Sequence, residues 1–308
     1  RVADMNTVSG ILKDYGLINY KWLFQLYSRF SNAEVQLSPG TYALTTNLDY
    51  RALVKKMQTG ADSQLQTLVM FPEGYNLDQV FARLEENGVC SREDLYAAAA
   101  NAEFSYTFLE GVETGDPYRL EGFLFPDTYE FLKDDTVHHY VATFYAHFDK
   151  QITDAMYKQL DEQGMTLPEL ITLASFVQEE AGNDQDDNVA QVFRNRLAEG
   201  SPYPKLQSNA SSPVQSDADN NYLWNWVAPY YGGWDSIPAN IRDAYDTYNC
   251  TGLPAGPISN PGLAAIRAAL DPQCDPEVKD CYFFVTDQSG HYYYAKTYAE
   301  HQKNCAEA

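Results

Sequence analysis

Basic residues are scarce in this 308-residue chain: Lys and Arg total 21 against 43 Asp and Glu, a net charge of −22. So acidic a surface repels phosphate backbones and argues against nucleic acid as a partner. Long apolar runs are missing too. The longest candidate, Leu170 to Val177, falls far short of the ~18 residues that span a bilayer. There is no signal peptide, and the chain opens at Arg1 rather than Met. A processed or truncated product is therefore expected, with any exporting or anchoring segment upstream of residue 1. No CxxC occurs, and the five histidines do not stand at ligand spacing from the cysteines, which speaks against zinc. Asp217-Ala-Asp219-Asn-Asn221 opens like a calcium loop. Tyr222 and Ala228 then occupy the sixth and twelfth positions, where an EF-hand needs Gly and Glu.

What remains is globular. The chain is 44% hydrophobic and 14% aromatic, enough for one large domain or two smaller ones. Five cysteines (Cys90, Cys250, Cys274, Cys281 and Cys305) cannot all pair within one chain. Cys274 and Cys281 are close enough for a small bridged loop; five free thiols is the other reading.

Charge divides the chain. Residues 1–65 carry seven basic and five acidic groups, and the rest carries the acidic excess. With the polar stretch Thr59-Gly-Ala-Asp-Ser63, this places a boundary near residue 65. Val8, Ile11, Leu12 and Tyr15 have helical spacing stopped by Gly16, and Trp22, Leu23, Leu26 and Tyr27 form a second apolar face. Ser38-Pro-Gly40 reads as a turn, Thr41 to Thr45 as a strand, and Leu53, Val54 and Met57 as another helix.

Beyond the boundary come strand-like Leu68 to Phe71 and a turn at Pro72-Glu-Gly74. Helices follow around Val80 to Gly88, Arg92 to Ala102, and His138 to His147. The neighbouring His138 and His139 face opposite ways rather than sharing a metal. Pro168 opens a helix at a favourable first-turn position, and Val189 to Leu197 is helical. The glycines and prolines up to Pro261 predict a long ordered loop. A helix (Leu263 to Leu270), a hairpin (Cys281 to Thr286 with His291 to Ala295) and a short tail helix complete the chain.

One carboxylate stands out. At ~100° per residue, Leu170, Leu173, Ala174 and Val177 make an apolar stripe, Glu180 projects from that stripe, and Glu179 faces away. A desolvated glutamate has a raised pKa, as a general acid near neutral pH requires. The bland alternative is a structural carboxylate bonded to a buried Arg or to backbone amides.

Several short motifs occur in a fixed order. They are Glu121-Gly-Phe-Leu-Phe-Pro-Asp127-Thr-Tyr129, Ala174-Ser-Phe-Val-Gln-Glu-Glu180, Val192-Phe-Arg-Asn-Arg-Leu197, Leu206-Gln-Ser208, Tyr245-Asp-Thr-Tyr248, Gly252-Leu-Pro-Ala-Gly-Pro-Ile258 and Asn260-Pro-Gly262. This string resembles the YceG-like family of endolytic murein transglycosylases over residues 1–304. The resemblance implies an α+β fold. Residues 1–65 would be a small LysM-like module, and residues 66–308 a larger mixed α/β catalytic domain with long ordered loops. It implies an enzyme of the extracytoplasmic face of the bacterial membrane, single-pass anchored through a segment not in this chain. The implied partners are peptidoglycan glycan strands and wall-synthesis enzymes, with no cofactor and no metal.

The resemblance also implies roles. The last acidic residue of A-S-h-h-E-x-E is the catalytic one, here Glu180, the same residue the helical wheel selects. Glu121 and Asp127 are candidates for a second acid. Gln207, Ser208, Tyr248 and Asn260 are candidates to hold N-acetyl and hydroxyl groups, beside Asn209, Tyr245 and Asp246. Three positions depart from the family pattern: Gln178 for the first glutamate of the motif, Asn209 for the aspartate of L-Q-S/T-D, and Asp246 for the asparagine of Y-N-T-Y. Trp224 to Trp234 offers aromatics that either stack on sugars or pack a loop. The expected reaction cuts the β-1,4 bond from MurNAc to GlcNAc and leaves a 1,6-anhydroMurNAc end. A non-catalytic peptidoglycan-binding scaffold and a hydrolytic muramidase are the alternatives.

Overall fold

The computed structural model describes residues 4–30, 37, 42, 44, 46, 48–59, 66–109, 115, 117–133, 135–182, 184–213 and 221–308. The chain forms two compact units, residues 1–68 with 130–134, and residues 69–129 with 135–308.

In the first unit, α1 (Met5–Asp14), α2 (Lys21–Phe30) and α3 (Tyr50–Thr59) bury Met5, Leu12, Ile18, Phe24, Leu53, Val54 and Met57 together. Asp4 caps α1 by accepting the Thr7 amide at 2.8 Å. Gly16 ends the turn after α1 at φ 71°, a conformation that costs glycine nothing. The expected apolar face on α2 is turned the other way. Phe24 and Ser28 are the buried residues, whereas Trp22, Leu23 and Leu26 are exposed. The turn at Ser38 to Gly40, alternate residues of the Thr41 to Thr45 strand, and residues 60–63 of the polar boundary lie outside the described residues.

Strands β1 (Gln66–Met70) and β2 (Thr128–Leu132) pair as a two-stranded sheet. The second unit continues with α4 (Leu77–Glu86), α5 (Arg92–Asn101), α6 (Val137–Gln151), α7 (Asp154–Gln163), α8 (Leu167–Glu180) and α9 (Asp186–Leu197). After them come α10 (Ala228–Tyr230), α11 (Ala239–Tyr245), α12 (Leu263–Leu270), the strands β3 (Phe283–Thr286) and β4 (Tyr292–Ala295), and α13 (Tyr298–Glu307). Helices dominate, with small sheets, so the fold is α+β.

Helix α8 is the axis of this unit. Its start is fixed by a capping box in which Thr166 and Glu169 satisfy each other's backbone amides, with Pro168 in the first turn. Every residue from Leu170 to Val177 is buried, packed by α9 and α12. Each large side chain there stabilises the fold by about 1.5–3 kcal/mol. Over this span the helix is thus buried all round, not along one stripe. Glu179 is no solvent-facing residue: its Oε1 lies against the Gly74 backbone, 3.2 Å from where a Cβ would stand.

The glycine- and proline-rich stretch before Pro261 is more helical than its composition predicts. A π-turn (Leu223–Val227) runs into α10, and α11 follows Pro238. Both form because punctuating residues cap helices as readily as they break them. The C-terminal hairpin is antiparallel, pairing Phe283 with Ala295 and Thr286 with Tyr292. Its Asp287 side chain accepts from Ser289 and from the His291 amide, which holds that carboxyl down at about 2. All five cysteines are free thiols. No helix among the described residues is long and apolar enough to cross a membrane.

Candidate active site

Glu180 is the last residue of α8. The helix stops there because Ala181 turns extended, its amide bonding the Val177 carbonyl at 2.8 Å. The Tyr292 hydroxyl of β4 then clamps the end. It donates to the Glu180 carbonyl at 2.7 Å and accepts the Gly182 amide at 2.9 Å. A hairpin over a hundred residues downstream therefore fixes the backbone that presents the carboxyl group.

The Glu180 carboxyl accepts a short hydrogen bond from the Ser208 hydroxyl at Oε1. Burial pushes its pKa upward, and the bonds from Ser208 and the Ala210 amide pull it partly back.

Ser208 is positioned by two residues that sequence reasoning did not single out. The first is Thr247, wholly buried. Its hydroxyl lies 2.7 Å from the Ser208 carbonyl and 2.9 Å from the Ser211 carbonyl, and it accepts the Ser208 amide at 3.2 Å. Its own carbonyl accepts the Gln207 amide at 3.0 Å. The second is Arg196 of α9, buried between the rings of Tyr203 and Phe283 at 5.9 and 5.2 Å. It donates to the Lys205 carbonyl at 2.6 Å, to the Tyr282 carbonyl at 2.7 Å and to Gln207 Oε1. Burial lowers its guanidinium to about 10. Together they hold Gln207 at φ 55°, a conformation side chains rarely adopt, so that Gln207 and Asn209 point outward and Ser208 inward. The available signals were the Thr inside Tyr245–Tyr248 and the second Arg of Val192–Leu197.

Tyr248 donates to Asn209 Oδ1 at 2.7 Å, and both side chains are exposed. Burial, and then the charge of Glu180, raises the Tyr248 pKa, which places the two groups in one field. Glu180, Ser208, Asn209 and Tyr248 thus stand together, with Gln207 at the rim.

The other sequence candidates have structural tasks. Asp246 is buried; its Oδ1 accepts the Tyr248 amide at 3.0 Å and its Oδ2 accepts from the Asn249 side chain. It shapes the turn that carries Tyr248. Tyr245 sets its hydroxyl against Gly256, where a Cβ would come within 2.8 Å. Asn260 is 1% exposed, accepts the Leu124 amide at 2.8 Å and donates to the Tyr75 carbonyl at 2.7 Å. Glu121, also 1% exposed, accepts the Leu77 amide at the start of α4 and the Tyr222 hydroxyl at 3.0 Å. Neither is open to a sugar. Asp127 pairs with His147 at 2.8 Å. Two of the three tryptophans of the 224–234 segment stack, Trp224 on Trp234 at 4.0 Å and 3°, with Arg242 over Trp234.

The YceG-like family model matches residues 1–307. The chain belongs to the YceG-like family. It is 30% identical over 327 residues to a Streptococcus pneumoniae serotype 2 protein named endolytic murein transglycosylase, covering 99% of this chain and 56% of that one. The chain therefore spans about half the length of that relative. A Bacillus subtilis protein of the same name is 26% identical over 312 residues, covering 98% of this chain and 81% of its own. The crystal structure of a YceG-like protein from Listeria monocytogenes superposes with a TM-score of 0.56 at 25% identity, covering 98% of this chain and 95% of that one.

The three departures from the YceG-like pattern sit differently in this frame. Gln178 Oε1 accepts the Gly262 amide at 2.9 Å, a bond a glutamate would also make. The Asp246 acceptor for the Tyr248 amide is one an asparagine also offers. Asn209 alone faces the open side of the site, as acceptor for Tyr248.

Proposed function

We propose that this chain is an endolytic lytic transglycosylase that cuts the β-1,4 MurNAc–GlcNAc bond of peptidoglycan strands and leaves 1,6-anhydroMurNAc ends. The observation that carries the reading is Glu180, a desolvated carboxyl with a raised pKa, held at one oxygen by Ser208. The shared family and the names of the pneumococcal and Bacillus relatives support the substrate.

In this reading the Glu180 carboxyl protonates the glycosidic oxygen as the bond to C1 breaks through an oxocarbenium-like transition state. Glu180, now ionised, takes the proton from the MurNAc 6-hydroxyl, whose oxygen closes on C1. One carboxyl serves both steps and no water is consumed. The intramolecular nucleophile brings a high effective molarity. A hydrolase would need a second carboxylate to activate water. The two candidates for that role, Glu121 and Asp127, have their partners elsewhere. Asn209 and Tyr248 are the proposed sugar-holding pair, and Gln207 borders them. We also infer that residues 1–65 form a LysM-like module, and that the chain works outside the cytoplasmic membrane beside wall-synthesis enzymes.

The test is mass spectrometry of peptidoglycan digested with the chain and with Glu180→Gln. Long strands with anhydro ends from the first only are expected. Reducing ends, one water heavier, would mean a hydrolase. No cleavage of material that a muramidase cuts would leave a wall-binding scaffold.

A further inference from the structure

Helix α2 has two apolar faces, and among the described residues only one is covered. Phe24 and Ser28 point into the core of the first unit. On the opposite side, Trp22, Leu26 and Phe30 follow at intervals of four, with Leu23 beside them, a continuous arc of about 100°. These side chains are 65%, 43%, 85% and 38% exposed for Trp22, Leu26, Phe30 and Leu23. Single exposed apolar residues need no explanation, but a contiguous aromatic stripe marks an interaction surface.

The charges around the stripe say what kind. Helix α2 has no acidic residue, and exposed Arg29 borders the arc beside Trp22, while Lys21 reaches Gly10 of α1, its Nζ 3.4 Å from where a Cβ would stand. Residues 1–65 have a basic excess in a chain whose net charge is −22. A Trp–Phe–Leu face bordered by Arg and free of acidic residues matches the boundary of an anionic bilayer. There the rings sit at headgroup level, the apolar tips reach the acyl chains, and the cations meet phosphate.

We propose that the exposed face of α2 docks the first unit onto an anionic lipid surface. The inference is independent of the catalytic reading.

The experiment is flotation of the 308-residue chain with vesicles of phosphatidylglycerol and phosphatidylcholine, and with phosphatidylcholine alone. Flotation with the anionic vesicles is expected, weakening as salt rises. The variant Trp22→Ser/Leu26→Ser/Phe30→Ser changes only exposed side chains, so its melting curve should match the parent's while its partitioning falls about tenfold or more. Arg29→Gln should weaken binding and flatten the salt dependence. Quenching of Trp22 by brominated lipid in a variant lacking the other three tryptophans places the ring in the bilayer. Absence of flotation, or flotation unchanged in the triple variant, overturns the proposal. A concentration-dependent dimer lost in the triple variant would instead assign the face to a second copy. Binding to purified glycan strands lost in that variant would assign it to the wall.

Discussion

The Ser208 hydroxyl donates to Glu180 Oε1, while the Ala210 amide donates to the Ser208 oxygen at 3.1 Å. One hydroxyl therefore relays a backbone dipole onto one carboxyl oxygen. The relay has opposite effects on two properties of the acid. It orients the carboxyl group, and it stabilises the ionised form against the burial that disfavours it.

Ser208→Ala removes both effects. The Glu180 pKa rises further, because burial then acts with less opposition. Activity that requires the protonated acid is lost as pH rises through that pKa, so the alkaline limb of the rate profile moves to higher pH. The unheld carboxyl is also less well aimed, and kcat falls by about 10–100-fold. A pH–kcat profile on a defined glycan oligomer checks both. An alkaline limb moving downward would contradict the argument.

Tyr292→Phe tests the clamp on the end of α8. The Glu180 carbonyl and the Gly182 amide lose their shared partner at a partly exposed site, so stability falls by only about 1 kcal/mol. Loosening the backbone that aims the acid costs kcat about tenfold and leaves KM nearly unchanged. A rise in KM with constant kcat would make Tyr292 a substrate contact instead.

Helix α8 and its last residue were legible in the sequence. A long apolar run behind Thr166 and Pro168, ending in two acids, has few other solutions. The motifs also led to Ser208, Asn209 and Tyr248. What the sequence leaves open is the direction of short polar side chains in loops. Asn260, Asp246 and Glu121 carry the groups that bind sugars, but the same groups satisfy backbone amides, and sequence does not say which way an oxygen points. Thr247 escaped because a buried threonine that bonds several backbone groups looks like any strand or turn threonine. Helix α11 escaped because Pro238 reads as a breaker when it is a start. On α2 the apolar residues were seen, but with two apolar faces the periodicity could not say which one the core takes.

Asn260→Ala separates a scaffold role from a sugar contact. The variant leaves the Leu124 amide and the Tyr75 carbonyl without their side-chain partners in a buried setting. Stability should fall by about 2–4 kcal/mol in urea denaturation, with KM unchanged in the folded fraction. Unchanged stability with a raised KM would return Asn260 to the substrate.

Glu121 should make the fold sensitive to alkali. Burial first, and then the nearby charge of Glu179, raises its carboxyl to about 8 against bonds from the Tyr222 hydroxyl and the Leu77 and Gly122 amides. Between roughly pH 4.5, where an unfolded glutamate titrates, and about 8, the folded state holds a proton that the unfolded state has released. Protein stability therefore declines as pH rises through that window, and the contribution is fully present only below it. Glu121→Gln keeps an acceptor for the Leu77 amide and a polar partner for Tyr222 but cannot ionise. Its melting temperature should stay close to the parent's at pH 5 and exceed it above pH 8, so the two curves diverge as pH rises. Parallel curves across the range would mean that Glu121 is ionised in the fold, and that its bonds to the start of α4 outweigh its burial.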